Sequence, residues 1–153
     1  LKSICSFYAS EWHLVTMLLP NLDQKINKGV KVTTILEKDL TKEMETLLTK
    51  LHLEDKKEII NIGWQKSNLE DIKQAVQNND CIIINGTKEF IEKTREIIEN
   101  NLSGNKIIEI IDCYDIEDCK YEIKDILDKH DKILNTSGEK DKEEYITTIK
   151  VAN

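Results

Sequence analysis

Nothing in the 153 residues stays apolar long enough to cross a bilayer. The longest stretch of that kind, His13 to Pro20, is short and lies between polar helical segments, so no membrane partner is expected. No charged segment followed by an apolar run opens the chain, and no signal peptide is expected from it. Basic clusters are missing too: 29 acids against 22 lysines and arginines give a formal charge of −7. A surface of that sign would release few phosphate counterions, which excludes nonspecific nucleic-acid binding. Neither nucleotide cradle is present, since no GxGxxG follows the first apolar segment and GxxxxGK[ST] occurs nowhere.

Paired metal-ligand spacing is absent as well. Cys5, Cys81, Cys113 and Cys119, with His13, His52 and His130, form no zinc pattern. A phosphatase loop starting at Cys113 would need an arginine where Cys119 stands, and the intervening Tyr-Asp-Ile-Glu-Asp would repel phosphate. Three of the cysteines lie in or beside segments that read as buried strands. Free cysteine packs well in cores, so the four imply a reduced, cytoplasmic setting.

What the chain does have is an alternation of apolar strands with amphipathic helices. Asp80 to Leu102 shows it most clearly: Ile82, Ile83 and Ile84 leave no polar alternation, the pattern of a strand covered on both faces. After Asn85-Gly86, which reads as a turn, Phe90/Ile91, Thr94, Ile97/Ile98 and Leu102 recur with helical period behind a Thr87 cap. Ser3 to Tyr8 reads as the first strand. Ser10 caps a helix that Pro20 is expected to kink or restart and Gly29 to end. Val30 to Leu36 is a second strand, and Leu40 to Leu51 a helix with Asp39 or Thr41 as cap. Ile59 to Trp64 reads as a third strand, with a poor helix from about Asn68. Lys106 to Tyr114 is a fifth strand and Ile116 to Leu134 a fifth helix. Asn135 to Glu144 has the makeup of an exposed loop, and Tyr145 to Val151 that of an edge strand.

Five βα units plus a C-terminal edge strand predict a single α/β domain over residues 1–153, with a three-layer, doubly wound, mostly parallel sheet of Rossmann-like type. Ligands of such sheets bind outside the carboxyl ends of the strands, where the winding reverses. With the first and fourth strands taken as neighbours, the crevice gathers Tyr8, Ser10, Trp12 and His13 on one loop and Asn85, Gly86, Thr87 and Lys88 on the other, with Tyr114 and Asp115 beside them. Packing, capping and turn formation account for most of these residues one by one. Yet Gly86-Thr87-Lys88 at a helix start offers free backbone donors and a cation, which suits an anionic ligand. Asp112, Asp115, Glu117 and Asp118 read as an acidic helix start rather than a metal cluster.

Phe7-Tyr8, Glu11, Leu18/Leu19, Ile26, Gly29 and the apolar Val30 to Leu36 give the first 36 residues an outline that resembles the MEDS domain, the sensory domain of the dichloromethane-metabolism regulator and of related methanogen and methylotroph proteins. Ser3 stands where members usually carry histidine, and Asn27-Lys28-Gly29-Val30 departs from their Gly-Leu pattern. The resemblance implies a Rossmann-like or RecA-like core without working nucleotide motifs that senses a small molecule on behalf of a regulator or kinase. The first expectation is therefore a non-enzymatic ligand-sensing or regulatory domain, its ligand and any cofactor unnamed by the sequence. An interaction module that forms a homodimer or docks a protein partner is the second. An enzyme acting on a nucleotide or phosphorylated metabolite, with Lys88 and Thr87 on the phosphate and His13 as acid or base, is the third.

Overall fold

Strand β1 (Lys2–Tyr8) is buried along all but its first residue and is followed by α1 (Glu11–Asn27) and β2 (Val32–Leu36). The chain continues through α2 (Thr41–Lys50), α3 (Lys57–Asn61), a single 3₁₀ turn at Leu69–Asp71 and α4 (Ile72–Asn78) to β3 (Cys81–Gly86). Then come α5 (Lys88–Asn101), β4 (Glu109–Asp115), α6 (Ile116–Cys119), α7 (Ile123–Asp128), β5 (Lys132–Asn135) and β6 (Gly138–Asp141). This is a computed structural model, and it describes residues 1–144. The expected edge strand at Tyr145 to Val151 lies outside the described residues.

The fold is α/β: one six-stranded sheet in the order β2-β3-β4-β1-β5-β6, parallel except for β6, between two layers of helices. From β1 the chain crosses to the far edge at β2, then steps back through β3 and β4 and passes over β1 to β5. Because the direction reverses, right-handed crossovers require helices on opposite faces. Accordingly α1, α2 and α3 pack with Ile4, Tyr8, Ile83 and Cys113 on one face, while α4, α5 and α7 pack with Cys5, Phe7, Ile82 and Ile84 on the other. The triple isoleucine of β3 is thus divided between both cores, and each side chain so buried stabilises the fold by about 1.5–3 kcal/mol.

Several sequence expectations are corrected. Ile59 to Trp64 is no strand: it supplies helix α3 and a turn at Gly63, whose φ of 95° suits glycine. Ile59 and Trp64 are both buried against α1, and the Trp64 indole donates to the Ile59 carbonyl. A run this short carries no period that separates helix from strand. The single fifth helix is likewise broken into α6 and α7, and Ile133 and Leu134 belong to β5 beside β1. The expected loop at Asn135 to Glu144 holds β6, joined to β5 through a two-residue turn in which Asn135 Oδ1 accepts from the Ser137 amide and Gly138 takes a φ of 107°. Pro20 does not interrupt α1, which runs through it.

The outer edge of β2 is not bare. Ser67 donates its amide to the Leu36 carbonyl and accepts the Leu36 amide on its hydroxyl, both at 2.9 Å, and the Thr34 hydroxyl donates to the Gly63 carbonyl. The irregular segment after α3 therefore partners part of the edge without being a strand.

Candidate functional site

Strands β1 and β4 are neighbours whose following helices lie on opposite faces, which makes their carboxyl ends the switch point of the sheet. The strand of Cys81 to Gly86 does not pair with β1 as expected; β4 lies between them. Even so, the Asn85 amide reaches across β4 and donates to the Tyr8 hydroxyl at 2.7 Å and to the Cys113 carbonyl at 3.3 Å. Both side chains are almost wholly buried, and Asn85 Oδ1 finds no hydrogen-bond partner among the described residues. Burial drives the Tyr8 phenol far above its usual range; the Asn85 hydrogen bond opposes this, and Cys113, Asp115 and Glu11 add to it.

The remaining expected residues do not close one crevice around this pair. Tyr114 points to the other face, stacked on Phe7 with ring centroids 5.9 Å apart, so the sheet itself separates it from Tyr8. Ser10 and His13 serve α1: the Ser10 hydroxyl accepts from the His13 amide, and His13 Nδ1 accepts from the Ala9 amide, a reciprocal cap. Trp12 stands half exposed with the Lys50 ammonium 5.7 Å from its ring. Asp115 caps α6 through the Glu117 amide.

At the start of α5 the donors expected for an anion are already engaged. The Thr87 amide donates to Glu37 Oε1 and the Lys88 amide to Asp118 Oδ2, both at 2.9 Å, while the Thr87 hydroxyl accepts from Phe90. Lys88 Nζ lies 2.9 Å from Glu122 and 3.6 Å from Glu92, and the hydrogen bond to Glu122 raises its pKa further. With the protein's own carboxylates in these places, the reading of Gly86, Thr87 and Lys88 as an anion site loses its basis. Gly86 is no turn residue either. It is the last residue of β3, and a Cβ there would meet Phe90 Cδ1 at 2.6 Å and Glu37 Cβ at 2.9 Å.

A different constellation lies on the α5 face. Asp112 sits in the middle of β4, wholly buried, and its Oδ2 receives Arg95 Nη1 at 2.5 Å and His130 Nε2 at 2.7 Å. His130 Nδ1 faces the Ile126 carbonyl at 2.5 Å, and Arg95 Nη2 donates to Ser3 Oγ at 2.8 Å. One carboxylate thereby ties β1, β4, α5 and the end of α7 together, while its Oδ1 has no partner among the described residues. Asp112 is not part of an acidic helix start. The signal that distinguishes it is an isolated acid between Ile111 and Cys113 in an otherwise apolar strand, but its partners Arg95 and His130 are remote in sequence.

Above this cluster a cavity of about 650 Å³ opens between α5 and α7, lined by Arg95, His130, Tyr114, Ile126, Lys88 and charged residues of both helices. Its upper end thus reaches the carboxyl end of β4. Two other cavities stand out, about 530 Å³ beside the β2 edge under Trp64 and about 440 Å³ between α1 and the β5–β6 turn. Neither they nor the α5–α7 cavity is lined by Tyr8 or Asn85. Among the described residues no group of three or more His, Cys, Asp or Glu could hold a metal ion, and no helix is long and apolar enough to cross a membrane. No protein family, curated protein or solved structure matches the chain.

Proposed function

We propose that this chain is a non-enzymatic, small-molecule-sensing regulatory domain and that its ligand occupies the cavity between α5 and α7. The observation that carries this reading is the cavity floor. Arg95 and His130, both lining it, converge on buried Asp112, and Arg95 also donates to Ser3 of β1, so a molecule seated there bears on strands and helices from both ends of the chain. The volume lies within the range of small-ligand sites, and two of the expected ligand residues, Lys88 and Tyr114, are among its walls.

Other features favour binding over chemistry. The four thiols are buried, with Cys5 and Cys81 pushed up to about 12, Cys119 to about 11 and Cys113 upward as well, which makes them poor nucleophiles. His13, the candidate acid or base, is engaged in capping α1, and carboxylates occupy the α5 amides that would have met a phosphate. The likeness of the first 36 residues to a sensory domain agrees with the same reading.

A thermal-shift screen of metabolites tests it. A ligand at about 100 times its Kd adds about 2.7 kcal/mol to stability. That gain should vanish on Glu96→Arg with Asp125→Arg, which reverse charge on both exposed walls, and should survive Tyr8→Phe. A ligand whose stabilisation survives the wall variants but is lost with Tyr8→Phe would place the site at the switch point and overturn the proposal.

A further inference from the structure

Tyr114 lines the α5–α7 cavity and neither of the other two, yet it is only 4% exposed. Its ring is held on two sides, stacked on Phe7 and edge-on to His130, with centroids 5.9 and 6.1 Å away. The phenolic hydroxyl has no hydrogen-bond partner among the described residues, and it is not one of the unpartnered atoms sealed off from solvent. A side chain so enclosed meets open space where the cavity reaches it, so the hydroxyl points there. Burial and the Asp112 carboxylate push its pKa upward, against Arg95, and the oxygen keeps its proton. An enclosed donor without an acceptor calls for an explanation, and a ring clamped on two sides presents that donor in a fixed direction.

Coulomb attraction does not select what this donor meets. Lys88 is held by Glu122 and Glu92 and Arg95 by Asp112, so Lys129 is the one lining lysine or arginine without an ion pair among the described residues. An anion would face mostly carboxylates. Glu96, Asp125 and Asp128 have no ion pair among the described residues, but they are exposed on helix surfaces, where pairing with an incoming cation gains little against water and salt.

What the lining does offer is directional hydrogen bonding on three sides. Each carboxylate carries about four acceptor lone pairs, so even the paired Glu92 keeps some, and the Tyr114 hydroxyl and Lys129 supply donors. Hydroxyl groups suit such a mixed surface, because each donates once and accepts twice. A planar base presents its donors in one plane, whereas the acceptors here stand on α5 and on α7 with the Tyr114 donor between them. A volume of about 650 Å³ admits one or two sugar rings.

Resting on the reading of this cavity as the ligand site, we propose that its ligand is an uncharged polyol, a mono- or disaccharide. One of its oxygens accepts from the Tyr114 hydroxyl, and its other hydroxyls donate to the carboxylates of α5 and α7.

The probes are D-glucose, D-galactose, D-ribose, myo-inositol, maltose and trehalose, each titrated into the whole chain. Sugars at high concentration stabilise proteins by exclusion from their surfaces, so the readout is amide chemical-shift mapping and not melting temperature. At least one should give saturable shifts gathered at Tyr114, Ile126 and the facing residues of α5 and α7. Tyr114→Phe should weaken that binding by about fivefold or more and leave the urea midpoint unchanged, because the hydroxyl it removes has no partner in the free chain. A purely structural role for the hydroxyl would move the midpoint instead. Glu96→Ala with Asp125→Ala, both exposed, should weaken binding by about tenfold, and the equally exposed pair Asp55→Ala with Glu58→Ala should leave it unchanged.

D-Glucosamine and D-glucuronate carry a charge on the same ring as glucose. Tenfold tighter binding of either than of any neutral probe would overturn the uncharged assignment. The polyol class also falls if none of the six probes gives saturable shifts, or if Tyr114→Phe binds as well as the parent. In each of these cases the cavity still stands when another metabolite moves its amides. Shifts gathered around Trp64 or the β5–β6 turn would overturn the choice of cavity as well.

Discussion

At the scale of single residues, the Asp112 carboxylate concentrates more consequence than any other group described. Its charge is matched by Arg95 inside a low-dielectric core, with His130 Nε2 on the same oxygen, and removing the guanidinium leaves that charge poorly matched. Arg95→Ala should therefore cost about 3 kcal/mol or more in urea unfolding, whereas Lys93→Ala, two residues earlier on α5 and exposed, should change stability by less than about 0.5 kcal/mol. Gly86 makes a second, steric case. A methyl group there would press on Phe90 and Glu37, and Gly86→Ala should cost about 1–3 kcal/mol, measurable in the same experiment. Neither role was legible in the sequence. Asp112 reads as one more acid before an acidic helix, because nothing local says that Arg95 and His130 will converge on it. Gly86 reads as a turn because the pair Asn-Gly so often is one, while here it ends a strand under a crowding helix.

At the scale of elements, legibility followed length and local punctuation. Helix α1 could be read from its cap and stripe, and the structure adds why its start is firm: Ser10 and His13 cap it reciprocally. Ser10→Ala should cost about 1 kcal/mol and speed hydrogen exchange in the first turn of α1, with Ser10→Asp retaining most of the protection. Strand β3 and helix α5 were equally clear, since a β-branched run bounded by Asn-Gly and a 3.6-residue stripe behind a Thr87 cap support each other. The failures were short. Ile59 to Trp64 became helix and turn because Ile59 and Trp64 are both needed in the core shared with α1. Ile133 and Leu134 left the supposed last helix because β1 had an unpaired side to fill. In both places tertiary packing decided what five or six residues could not.

At the scale of the whole molecule, the alternation of elements was enough to indicate a three-layer parallel sheet, but the strand order was not. The crevice expected around Tyr8 depended on that order, and the sheet in fact divides its residues between two faces. The same division puts two thiols in each core, Cys113 and Cys119 among them, and the other two stand on opposite faces: Cys81 packs with α1 and Cys5 with the α5 side. Burial raises both from 9.0 to about 12, helped at Cys81 by Glu109 and at Cys5 by Asp112. The folded chain therefore holds these protons where the unfolded chain has released them. Their contribution is complete below pH 9.0 and is lost as pH climbs toward about 12. The urea midpoint should fall over that interval, and a Cys5→Ala, Cys81→Ala variant should show a shallower decline. An identical slope in the variant would assign the loss to other groups. Native protein at neutral pH should also leave a thiol reagent unconsumed until denaturant is added.

Ser67, clasping Leu36 by both backbone groups, gives the sheet a guarded flank. A foreign strand approaching there meets a site already spoken for, which favours a well-behaved solution of separate molecules over filament growth. Replacing Ser67 with alanine would leave its amide on the Leu36 carbonyl but free the Leu36 amide, and thioflavin-positive aggregates appearing only in the variant would be its visible cost.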